Sequence, residues 1–137
     1  MSLGAALKRQ AEWAEKKARS DHIREKEAQR QEERLILKKF LAGCIQSLVE
    51  SIQSGSIGVD GFRVTVGTHL GKIHHPEVSK IIVRMFVNAP EFVIAGHPYY
   101  DIWAAFEAWT AKNDLFAAWI PSSSSYHGWH LTIRPKG

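Results

Sequence analysis

The 137 residues include one cysteine, Cys44, so no disulfide framework can form within a single chain. Its apolar neighbours give it the setting of a buried thiol, not of a nucleophile. Long apolar runs are also missing: no stretch approaches the roughly 18 uncharged residues of a membrane span. Charge begins at Lys8 and recurs, so the opening residues lack the apolar core of a signal peptide. A cytoplasmic protein without transmembrane insertion is the expectation. No Walker loop is present, and no Gly-x-Gly-x-x-Gly follows a strand. Neither a His-Glu-x-x-His helix nor a nucleophile elbow occurs, so no cofactor is expected.

Glycine and proline are absent from residues 5 to 42. Strong helix formers fill that gap, and Glu12–Lys16 and Glu15–Arg19 stand at the favourable i,i+4 spacing. Up to Phe40 the chain carries 11 Lys/Arg against 7 Asp/Glu; from Leu41 onward it carries 7 against 7. Helix from residue 3 to 53 would run on the order of 75 Å. From Arg19 to Arg34 the only sizeable apolar side chain is Ile23, so the arm is coiled-coil-like in composition but lacks the heptads of a self-associating pair. A helix polar all round bridges solvent or lies on a partner. Lys8, Arg9, Lys16, Lys17, Arg19, Arg24 and Arg30 are candidate binding residues, with Trp13 as the anchor of an otherwise polar surface. The interleaved glutamates suit a protein face better than a phosphate backbone.

The pattern changes at Leu35. Leu37, Leu41, Ile45, Leu48 and Ile52 recur every three or four residues, with Phe40, Cys44 and Val49 beside them, as on a core-facing helix. Ser54-Gly55-Ser56 should end it. Domains are therefore expected at 1–34, a basic polar helical arm, and 35–137, a small α+β globule. In the globule, Phe62, Val64 and Val66 alternate with Arg63 and Thr65, a strand between Gly61 and Gly67. Thr68 to His75 reads as a loop. Pro76 suits a helix start, with Val78, Ile81, Ile82, Met85 and Phe86 on one face, although Lys80 to Val87 could also be a buried strand. Glu91 to Ala95 is a short strand or the entry to the next helix. Tyr99 to Lys112 is a helix with Ile102, Trp103, Phe106 and Trp109 on a bulky face and Ala104, Ala108 and Ala111 on a small one. Leu115 to Ile120, apolar on both faces, resembles an interior strand. After Pro121 and the Ser122–Ser125 loop, Trp129, Leu131 and Ile133 point inward and His130, Thr132 and Arg134 outward, completing an antiparallel hairpin. The fold class is α+β: a long N-terminal α-helix, then a small antiparallel sheet packed with two or three helices.

Six of seven histidines follow residue 68. His127 and His130, with His74 or His97, are the candidate metal ligands, although a three-residue spacing within a strand splits a pair between faces. His130-Leu-Thr132 is half of a paired His-x-Thr arrangement, so His130, Thr132 and Arg134 are the catalytic candidates of a small histidine-dependent nuclease or phosphoesterase. The other reading joins Arg63 and Thr65 to His130, Thr132 and Arg134 as one polar face, with Lys136 extending it and Tyr126 available for stacking. On that reading the chain is a non-catalytic interaction protein, of a kind that also suits a place in a larger assembly. It docks on an acidic protein surface or nucleic acid through its basic helix and polar sheet face. A hydrolase is the alternative.

Overall fold

A computed structural model of the chain describes residues 2–59, 61–85, 90–121 and 128–136. The helix-forming run is one helix, α1, spanning Leu3–Ser54. It crosses the boundary between two compact units, residues 1–33 and 34–137. Ser2 caps its start, Oγ accepting from the Ala5 amide at 3.1 Å. Its end is a Schellman motif: Gly55 turns left-handed (φ 69°), its amide donates to Ile52 O, and the Ser56 amide donates to Ser51 O. In the second unit, α1 buries Leu37, Phe40, Leu41, Cys44 and Leu48. Val49 and Ile52 are exposed, so the buried stripe lies slightly to one side of the one expected.

β1 (Phe62–His69) follows, and the segment expected to be a loop is in fact a hairpin with β2 (Lys72–His74). Its two-residue turn is Leu70 and Gly71, both left-handed (φ 52° and 76°), which defines a type I′ turn. Leucine is a poor residue for that conformation, and this is why the turn was not legible. α2 spans Pro76–Met85 and buries Val78, Ile81 and Ile82. Phe86 and Val87 lie outside the described residues. Glu91–Val93 is a single 3-10 turn instead of a strand, with Phe92 fully buried. α3 (Tyr100–Lys112) buries Trp103, Phe106 and Thr110. It leads through Asn113 and Asp114 into β3 (Leu115–Pro121), whose partner β4 spans Trp129–Pro135. The Ser122–Ser125 loop lies outside the described residues.

The four strands form one antiparallel sheet in the order β2-β1-β4-β3. β3 is therefore an edge strand, not the interior one its apolar character suggested. The register sets Phe62 opposite Ile133, Val64 opposite Leu131 and Val66 opposite Trp129, with Ala117 and Trp119 continuing the same face on β3. This inner face meets α1, α2 and α3. At its centre the Trp119 ring stacks on Phe40 (6.3 Å between centroids) and meets Phe92 and Trp103 edge-on or tilted (5.9 and 6.2 Å). Burying that much aromatic surface is the main hydrophobic gain available to a domain of this size. A charged clamp adds to it. Arg34 donates to both carboxylate oxygens of Asp101 (2.8 and 2.6 Å) and to Pro98 O (2.7 Å), tying α1 to the start of α3. The architecture is α+β, as expected. Among the described residues no helix is long and apolar enough to cross a membrane.

Candidate functional site

The second face of the sheet is built by the same register. Arg63 stands opposite Thr132, which stands opposite Ala118; Thr65 is opposite His130, and His130 opposite Ile120. Arg134 faces Phe116. The β1–β2 hairpin extends the rows, pairing His69 with Lys72 and Gly67 with His74. None of these strand positions carries a carboxylate, whereas Arg63, Lys72 and Arg134 are cationic and His69, His74 and His130 can become so. No residue of this face belongs to the hydrophobic core cluster.

The sequence reading of Arg63, Thr65, His130, Thr132 and Arg134 as one face agrees with this register, but their exposure differs from a solvated patch. Arg63 and Arg134 are exposed, while Thr132 is 2% and His130 9% accessible. β4 is a central strand, so neighbouring side chains close over its short polar residues. Thr132 Oγ1 donates to Ala118 O at 3.1 Å. His130 Nδ1 and Thr65 Oγ1 are 3.0 Å apart, a hydrogen bond whose direction follows the histidine tautomer. The His69 ring meets His130 edge-on at 5.5 Å and lies 6.3 Å from His74. Burial, then the charge of Arg63 and of His69, holds His130 below the ordinary histidine range. Its neutral form is favoured there.

His74 and His130 thus share this face. His97, by contrast, sits in the turn before α3, its Nδ1 accepting from the Tyr99 amide at 3.1 Å. His127 and Tyr126 lie outside the described residues. Among the described residues no group of three or more His, Cys, Asp or Glu has a metal-holding arrangement. Cys44 is buried in the core, which pushes its thiol up to about 12.

The arm candidates all lie in the first unit. Lys8, Arg9, Lys16, Lys17, Arg19, Arg24 and Arg30 are exposed, as is Trp13 at 65%. Lys17 Nζ sits 5.3 Å from the Trp13 ring centroid, and Arg19 pairs with Glu15. The unit boundary redistributes the charge. Residues 1–33 hold eight Lys/Arg against seven Asp/Glu, and residues 34–137 hold ten against seven. Within the arm the basic excess lies ahead of Glu25, with six Lys/Arg against three acids, while residues 25–33 are acidic. Sequence alone does not link Lys72 and His69 to the face, because the hairpin that carries them has the composition of a loop. Alternation across Gly67 to His74, centred on Gly71, was the available signal. No family model, curated protein or solved structure matches the chain.

Proposed function

We propose that this chain is a non-catalytic interaction protein that docks on an acidic macromolecular partner. The outer sheet face supplies the main contact and the basic part of the arm supplies a second. The observation that carries this reading is the absence of any carboxylate from the strand positions of a face bearing Arg63, Lys72, Arg134 and three histidines. A solvated face of no function ordinarily mixes both signs, and one sign alone attracts the opposite charge and speeds its encounter.

The test is copurification of the full chain in low and high salt, with bound protein and nucleic acid identified separately. It is paired with direct titration of a single-stranded homopolymer and of an acidic polypeptide. Nucleic acid predicts a steep linear fall of log affinity with log salt, each phosphate contact contributing about 0.7 to the slope on a single strand. Reversing Arg63 and Arg134 together to Glu should weaken binding at least tenfold. Affinity untouched by that double change would remove the sheet face from the reading.

The hydrolase alternative rests on the edge-on His69–His130 pair beside Arg63, an arrangement able to share a proton near an anion. It predicts that His130→Ala abolishes turnover with the fold intact. No cleavage of any nucleotide or nucleic-acid substrate, with or without added zinc or manganese, would eliminate it.

A further inference from the structure

The sheet has two edges, and they differ. β2 has three residues and begins with Lys72. β3 has seven, Leu115 to Pro121, none of them charged, and among the described residues it pairs with β4 on one side only. Edge strands usually carry a lysine, an internal proline or a bulge that discourages pairing. β3 shows none of these before its last residue. Phe116 and Ile120 are 59% and 38% exposed on the outer face, with Ala118 between them.

We propose that β3 pairs antiparallel with β3 of a second copy, about a two-fold axis perpendicular to the sheet at Ala118, giving one continuous eight-stranded sheet. Three features select this occupant. A perpendicular two-fold keeps inner faces together only when it runs midway between two copies of the same residue, and the middle residue, Ala118, is the choice that pairs all seven positions. That register sets Phe116 against Ile120 of the second copy on the outer face, covering both exposed apolar side chains. On the inner face it sets Ala117 against Trp119, small against large, and Leu115 against Pro121. Finally, none of the seven paired positions carries a charge, so no like charges are set opposite one another and none is desolvated across the seam. The axis also leaves both basic faces on the same side, side by side. The dimer does not depend on what those faces bind.

The experiment is sedimentation equilibrium of the full chain from micromolar to near-millimolar concentration, with three variants. Wild type is expected to be dimeric. Phe116→Lys combined with Ile120→Lys places like charges opposite one another and should give a monomer with unchanged circular dichroism and melting. Residues facing across the axis have Cα atoms about 4.5–5.5 Å apart, inside the disulfide range, whereas the diagonal pair lies about 7–8 Å apart. Mild oxidation should therefore convert Ala118→Cys mainly to a crosslinked dimer and leave only traces of one from Ala117→Cys; Cys44 is buried and does not compete. A wild-type monomer throughout, a dimer indifferent to the two lysines, or equal crosslinking of the two cysteine variants would each overturn the proposal. If the lysine variant loses its fold, the cysteine pair still decides.

Discussion

At the scale of single residues, backbone conformation sets the clearest expectations. Gly61 and Gly71 both hold positive φ, but for different surroundings. A Cβ on Gly71 would meet nothing within 4 Å, whereas one on Gly61 would lie 2.7 Å from Ile133 O across the β1–β4 ladder. Gly71→Ala should then cost only the left-handed penalty, about 1–2 kcal/mol. Gly61→Ala should cost roughly 3 kcal/mol or more, because the clash is with backbone and adds an overpacking cost of about 1–3 kcal/mol. Leu70, exposed and left-handed, works in the opposite direction: Leu70→Asn should stabilise by about 0.5–1 kcal/mol. Urea denaturation of the three variants checks the order, and a Gly61→Ala loss no larger than that of Gly71→Ala would contradict the packing argument. The histidines add a pH dependence. His75, His97 and His130 are each held below the ordinary value of 6.5, with burial the first cause in all three. Below 6.5 the unfolded chain binds more protons than the folded one. Stability is therefore fully present above that value and falls as pH drops through it. Urea midpoints should be lower at about pH 5.5 than at about pH 7.5, and equal midpoints would show that these rings do not resist protonation in the fold.

At the scale of elements, the Arg34–Asp101 clamp joins two helices that begin 97 residues apart in the chain. The Arg34 hydrogen bonds hold the Asp101 carboxyl below the usual carboxylate range. Its contribution is present above that range and is lost as pH falls through the lowered value, well below the histidine window. Both side chains remain partly open to water, so Asp101→Asn should cost only about 0.5–1 kcal/mol. The loss should vanish when Arg34 is already alanine, and a full loss in that background would place the role of Asp101 elsewhere. Nothing local announces this pair, and sequence reading missed it for that reason. Elements with their own periodicity were legible: the α1 core stripe, α3, and the alternations of β1 and β4. β2 was not, because Leu70 hides its turn. β3 reads as an interior strand because both faces are apolar, and only strand order, which is a nonlocal property, makes it an edge. The outer face was legible in its residue types but not in the burial of His130 and Thr132, which follows from β4 lying between two other strands.

At the scale of the whole chain, the two units differ in what holds them. Residues 34–137 bury a core drawn from every helix and from both central strands. In residues 3–33, helix propensity and side-chain pairs such as Glu15–Arg19 and Gln29–Glu33 favour helix, while Leu3, Leu7, Trp13 and Ile23 are exposed. Such pairs contribute about 0.2–0.5 kcal/mol each, little for a helix of this length in water. Amide hydrogen exchange on the full chain should find residues 3–33 exchanging orders of magnitude faster than Leu37–Leu48 of the same helix, since the second segment opens only with the core. A bound partner that engages the arm should slow exchange around Trp13 first, because its large ring, 65% exposed, offers the most apolar area to bury. Equal protection along the whole of α1 in the free protein would mean that the arm is held by contacts of its own. It would then have no unmet need for a partner, and docking would fall to the sheet face alone.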